Sequence, residues 1–184
     1  MVNLIKDYVY NQCNQSYNVF GPAFFDQHLL VVAEYGKKLA DYFGANREVV
    51  ELSAYLHDIS VIDDFNTIQN HHLLSAEIAG KILNQYNYPS KLIEKVEQCI
   101  RSHSAPVQID AGSVEEISLS NADAISQITN QPYWFFYAFN IRKYDFNQGR
   151  EWLLKRVEKN WNGLIKPAKE LVEIEYDEAI KFLK

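Results

Sequence analysis

The sequence predicts an all-α fold, a single helical-bundle domain over residues 1–184. Apolar residues recur with the 3.6-residue period, and strand-like alternation is weak throughout. Capping and turn residues punctuate the chain at helix-length intervals. A composition of 47 % hydrophobic and 23 % charged residues suits one sizeable core. No internal repeat, low-complexity run or Gly/Ser linker divides it.

The elements follow in order. From Asp26 as N-cap, Leu29, Val32, Ala33, Leu39, Ala40 and Phe43 line one helix face, and Gly44 stands where a C-cap glycine belongs. Asn46 caps a second helix with Val49, Val50, Leu52 and Leu56 inward, running into His57-Asp58. After a polar connection at Asp63–Thr67, a helix carries Leu74, Ile78, Ile82 and Tyr86 and ends near Tyr88-Pro89. Ser90 caps the next, with Leu92, Ile93, Val96, Cys99 and Ile100 on its apolar face. Ser113 and Glu116 have the spacing of a capping box for a helix bearing Ile117, Leu119, Ala122 and Ile125. Tyr133–Phe139 is almost wholly aromatic or apolar, expected as core or as a homodimer contact. Two amphipathic helices, split near Lys166-Pro167, close the chain.

The net charge of −6 excludes bulk binding of a nucleic acid polymer but not of a small phosphorylated substrate, where a local metal overrides the global sign. Two cysteines, Cys13 and Cys99, do not make a disulfide framework. No basic-then-apolar leader is evident, and no segment approaches the ~20 apolar residues of a membrane span. The expectation is a cytoplasmic protein that engages no membrane.

Five histidines carry the functional signal. His28 opens the first core helix, His57 ends the second beside Asp58, His71 and His72 precede the third, and His103 falls on the apolar face of the fourth. Asp123 lies within the apolar-facing run Leu119-Ser-Asn-Ala-Asp-Ala-Ile. A lone apolar-face histidine is usually core. Several helices each delivering an imidazole or carboxylate are better explained by a metal, which turns costly buried polar groups into ligands.

This arrangement resembles the HD-domain superfamily of metal-dependent phosphohydrolases: a His, a His-Asp pair, two further histidines and a distant Asp. Here these are His28, His57-Asp58, His71 in Asn70-His-His-Leu-Leu-Ser-Ala, His103 in Ile100-Arg-Ser-His-Ser, and Asp123 in Asn121-Ala-Asp-Ala-Ile. The resemblance covers residues 20–130, leaving 131–184 as C-terminal helices packed on that core. It implies a divalent cation held by His28, His57, Asp58 and Asp123, with His71 and His103 holding a second ion or binding phosphate. Mixed N/O ligation suits Mn, Fe, Co or Ni better than Mg. The implied reaction is attack of metal-activated water on a phosphoester or phosphoanhydride of a nucleotide or other small metabolite, with Asp58 catalytic. His72 is expected outside the ligand set.

One departure matters. Many hydrolytic members place a cation shortly after the His-Asp pair, whereas this chain reads His57-Asp-Ile-Ser-Val-Ile-Asp-Asp64. Arg101 is therefore the expected phosphate-binding catalytic cation, with Arg142-Lys143 as further candidates. Two other functions fit the same residues: a di-iron oxygenase of the HD type, and a metal-stabilised nucleotide-binding module without turnover.

Overall fold

The computed structural model describes all 184 residues and contains helices but no strand. Helix α1 (Val2–Cys13) is followed by a π-helical turn (Phe25–Leu29) that runs directly into α2 (Leu30–Phe43). Then come α3 (Arg47–Leu56), the short α4 (Ile59–Asp63), a 3₁₀ turn (Phe65–Gln69), α5 (His71–Gln85), α6 (Ser90–Ser102) and α7 (Val114–Thr129). The remainder is α8 (Gln131–Phe136), a second π-helical turn (Tyr137–Ile141), α9 (Phe146–Gly163), α10 (Lys166–Glu170) and α11 (Glu173–Leu183). No helix is long and apolar enough to cross a membrane.

Helix α7 is the central post, buried along most of its length and packed most extensively on α2; α3, α6 and α9 also contact it. Gly36 sets the approach, since a Cβ there would stand 3.0 Å from Val50 Cγ1 and 3.7 Å from Ala122 Cβ. One contiguous apolar core runs from Ile5 to Leu183.

Several local expectations hold. Gly44 closes α2 in the left-handed region at φ 67°, the Asn46 side chain accepts from the amides of Glu48 and Val49, and Ser113 with Glu116 forms a reciprocal capping box. Others shift. Asp26 caps nothing: the helix begins before it, just after Pro22, whose fixed φ suits a helix start, so Asp26 lies inside the π-helical turn. Ser90 is the first residue of α6, with Pro89 in the cap position and no side-chain cap. In α5 the buried stripe is Ser75, Ala76, Ala79, Gly80, Ile82 and Leu83, and Leu74 is exposed; small residues face inward because α5 lies close against α6. The tail holds three helices, since the chain breaks again at Leu171-Val172.

The aromatic segment divides as a 3.6-residue period requires. Tyr133, Trp134 and Tyr137 are buried, Phe135 and Phe139 half-buried, and Phe136 exposed. Its partners are largely the chain's own tail: Tyr137 stacks on Trp152 at 5.5 Å, and Phe135 meets Phe182 edge-on at 5.5 Å.

Candidate metal centre

Six elements bring one side chain each to a common point. His28 comes from the first π-helical turn, whose widened backbone is a frequent feature of functional sites. His57 ends α3, Asp58 occupies the break before α4, His71 begins α5, His103 ends α6, and Asp123 lies midway along α7. Helix ends suit this task because their backbone carbonyls can bond the imidazoles.

Each ring is fixed through Nδ1. His57 Nδ1 donates to the Ala54 carbonyl at 2.9 Å, His71 Nδ1 to that of Ile68 at 2.8 Å, and His103 Nδ1 to that of Ile100 at 2.6 Å. His28 Nδ1 lies 2.8 Å from Ser126 Oγ, whose own proton goes to the Asp123 carbonyl at 2.8 Å, so the hydroxyl accepts from His28. A carbonyl only accepts, so every Nδ1 carries a proton and, in the neutral ring, every Nε2 a lone pair.

Those lone pairs converge. His28 and His57 approach to 3.1 Å between Nε2 atoms, and His71 and His103 to 3.2 Å. Asp58 stands between the two pairs. Its Oδ2 is 3.4 Å from Nε2 of both His28 and His57, while its Oδ1 is 3.6 Å from His71 Nε2 and 4.0 Å from His103 Nε2. Asp123 Oδ1 completes the first group at 3.6 Å from His28 Nε2 and 3.9 Å from His57 Nε2. Facing lone pairs repel, and the N–O separations are too long for good hydrogen bonds. Donors bound about 2.1 Å from a common cation at tetrahedral or right angles stand roughly 3.0–3.4 Å apart. The residues present therefore fit a divalent cation, and Asp58 has one oxygen toward each of two such groups.

Charge distribution agrees. Burial pushes the Asp58 carboxyl up, but the positive charge that His57, His28 and His71 carry when protonated outweighs it and holds it well below the usual carboxylate range, a charge that a bound cation would supply to neutral rings. Burial and the neighbouring His57 pull His103 down to about 4, so it is neutral, as a ligand must be, at ordinary pH. A second layer orients Asp123: Asn160 Nδ2 donates to Gln127 Oε1 at 2.8 Å, and Gln127 Nε2 donates to Asp123 Oδ1 at 3.0 Å.

The site opens into a cavity of about 320 Å³. It is lined by His28, Asp58, His71, His103 and Asp123 and, from the C-terminal segment, by Trp134, Tyr137, Arg142, Trp152, Arg156 and Lys159. Arg101 is not among the lining residues. It lies on α6 one turn from Glu97 and pairs with it at 3.5 Å, so the cation expected from its nearness to His103 is directed elsewhere. Arg142 does line the cavity; Arg156 and Lys159, which do so too, gave no signal in the sequence beyond ordinary helix-surface charge. His72 stays out of the cluster, its ring edge-on to His71 at 5.7 Å. Neither thiol serves the site: burial pushes Cys13 and Cys99 each up to about 12.

The HD domain family model matches residues 25–128, more than half of the chain. An uncharacterised protein of Clostridium beijerinckii is 33 % identical over 79 residues, 42 % of this chain and 50 % of that protein, so the match spans half of the relative's length. A predicted HD superfamily hydrolase from an uncultured Thermotogales bacterium superposes with a TM-score of 0.68 at 18 % identity, covering 98 % of this chain and 88 % of its own. The Lin1889 protein of Listeria innocua does so with a TM-score of 0.66 at 16 % identity, covering 99 % and 91 %. At these identities the superpositions speak for the fold.

Proposed function

The chain belongs to the HD domain family, and on that premise we propose that it is a metal-dependent phosphohydrolase. The substrate is a small phosphorylated metabolite, a nucleotide among the candidates, cleaved at a phosphoester or phosphoanhydride bond. The observation that carries this reading is the pair of facing Nε2 contacts, 3.1 and 3.2 Å, with Asp58 between them.

When bound, a divalent cation supplies an activated water and polarises a phosphoryl oxygen. The chain's residues do the rest. His28, His57, Asp58 and Asp123 would hold one ion, and His71 and His103, with Asp58, would hold a second. Asp58 stays ionised at neutral pH, so it contributes charge and orientation and is a poor proton carrier. Mixed N/O donors favour Mn, Fe, Co or Ni over Mg. The cations lining the cavity support a substrate that is itself anionic.

The test is a phosphohydrolase screen over nucleotides and sugar phosphates with Mn, Co, Ni, Fe and Mg, run beside elemental analysis. Phosphate release that depends on a bound ion and disappears in His57→Ala supports the reading. A metal-loaded protein inert toward every phosphorylated compound overturns it. The six-donor layout also favours a second reading, a di-iron oxygenase, for which oxygen uptake by the iron-loaded protein is the discriminating measurement.

A further inference from the structure

The cavity that the ligands line also holds a guanidinium, Arg156, whose attracting carboxylates, Asp123 and Asp58, lie beyond ion-pair distance. Arg156 lies 4.3 Å over the Trp134 ring and 4.9 Å over that of Trp152, and its buried Nε has no hydrogen-bond partner. No carboxylate lies within 4 Å of Arg156, Arg142 or Lys159; the chain's Lys and Arg ion pairs all use other residues. Cation–π contact offsets part of the lost hydration but satisfies none of the five N–H donors. A buried donor left unmatched is costly, and three like charges lining one small cavity add repulsion. An anion in the cavity removes both costs.

The guanidinium is also held in register with the metal ligands. Trp134 donates from Nε1 to the Ser126 carbonyl at 3.1 Å and meets the His28 ring edge-on at 5.5 Å, and the hydroxyl of the same serine accepts from His28. Trp152 stacks on Tyr137, which also stacks on Phe20 at 5.8 Å. The tryptophan rings over Arg156 are thus engaged with the chain's own groups, leaving recognition to charge more than to stacking on a base.

We infer that Arg156, oriented by Trp134 and Trp152 and joined at the cavity rim by Arg142 and Lys159, is the receptor for the substrate's phosphate, and that this receptor selects a phosphomonoester dianion over a phosphodiester. The inference deepens the phosphohydrolase reading and rests on it for the identity of the anion. A planar fork fixed between rings suits the bidentate geometry of phosphate oxygens, which a lysine cannot reproduce.

The experiment titrates inorganic phosphate into the full-length, metal-loaded protein, followed by tryptophan emission and calorimetry, with dimethyl phosphate as the monoanionic comparison. Wild type is expected to bind phosphate well above dimethyl phosphate. Arg156→Met is expected to weaken phosphate by about tenfold or more at unchanged metal content, and to raise KM for any phosphomonoester turned over. The double variant Arg142→Gln, Lys159→Gln alters exposed residues whose folding is not at stake, and is expected to weaken phosphate severalfold. Unchanged phosphate affinity in either variant, absence of binding by wild type, or equal affinity for the diester overturns the receptor. Arg156-dependent phosphate binding without any hydrolysis leaves the receptor standing and defeats the phosphohydrolase reading. Hydrolysis with an Arg156→Met variant that binds phosphate normally does the reverse.

Discussion

The helices up to Asn130 and those after it bring opposite chemistry to one cavity. The first set supplies four imidazoles and two carboxylates, three of the imidazoles pinned through Nδ1 by the carbonyl three residues earlier and His28 by the Ser126 hydroxyl of α7. The second set supplies Arg142, Arg156 and Lys159 on a wall of aromatic rings. The polar ties between them include Asn160 to Gln127 and on to Asp123, Trp134 to the Ser126 carbonyl, Tyr133 to the Phe20 carbonyl, the Ile165 amide to Asn121, and Gln108 to the Gly163 carbonyl. The metal ligands are thus held mainly by the first set, while the cations depend on packing between distant segments. Position errors in the tail should alter substrate handling before they alter metal binding.

Removing the tail is the most severe way to break that comparison. Truncation after Asn147 deletes Leu153, Val157, Leu164, Ile165, Val172 and Leu183, all buried. Each such side chain contributes about 1.5–3 kcal/mol on burial, against a typical stability of about 5–15 kcal/mol. The expected product is insoluble or lacks a cooperative melt. A truncated protein that melts cooperatively and still binds metal would show the first set to be self-sufficient.

Next in size are the ligands. Asp58→Asn removes the group shared by both halves of the cluster, and His57→Ala removes one of the two closest Nε2 partners. Both should lose bound metal by elemental analysis and lower kcat/KM by on the order of 10³ or more, the scale of a lost transition-state charge partner. His72→Ala should leave both quantities within a few-fold, since its ring lies beside the cluster.

How legible each region was follows from the same contrast. The ligands announce themselves because histidine and aspartate on inward helix positions are chemically costly, so their order along the chain carries information. Arg156 and Lys159 sit among Arg150, Lys155 and Glu158, a pattern indistinguishable from a solvated helix face. What sets Arg156 apart is Trp134, more than twenty residues earlier, and no periodicity reports that encounter. Arg101 misled for a related reason: nearness in sequence to His103 says nothing of direction, and one turn of α6 away stands Glu97. The Asp26 and Ser90 caps failed locally, where a proline fixed the helix start instead.

Gln127→Ala tests one tie between the regions. It removes the donor to Asp123 Oδ1 and frees Asn160, and should cost about 10–100-fold in metal affinity with the fold intact. Competition with a chelating dye reads this directly; unchanged affinity would mean that Asp123 is positioned without the Gln127–Asn160 relay.

A milder effect is written into pH. His103 is held near 4 in the folded state against 6.5 ordinarily. Between these values the unfolded chain binds the extra proton, so stability rises with pH there. The contribution is fully present above 6.5 and lost as pH falls through 4. Denaturation of the metal-free protein should show this slope, and His103→Gln should flatten it. A wild-type curve flat across that window would mean that His103 is more hydrated than its burial indicates.

Arg101→Ala closes the series with the smallest expected effect, and it places the two regions' cations side by side. Arg101 is half-exposed and bonded to Glu97 across one helical turn, an arrangement worth about 0–1 kcal/mol. Arg156 has no carboxylate partner and lines the same cavity as the ligands. If anion handling belongs to the second region, Arg101→Ala changes kcat/KM by less than about twofold, because no interaction that strengthens in the transition state is lost. Its metal content and phosphate affinity stay at wild-type values. Should Arg101→Ala instead raise KM severalfold with metal retained, α6 would have to reorient when substrate binds, releasing Arg101 from Glu97. Charge reversal at Glu97 separates that case: Glu97→Lys would then free Arg101 and lower KM, whereas a purely structural pair leaves it unchanged.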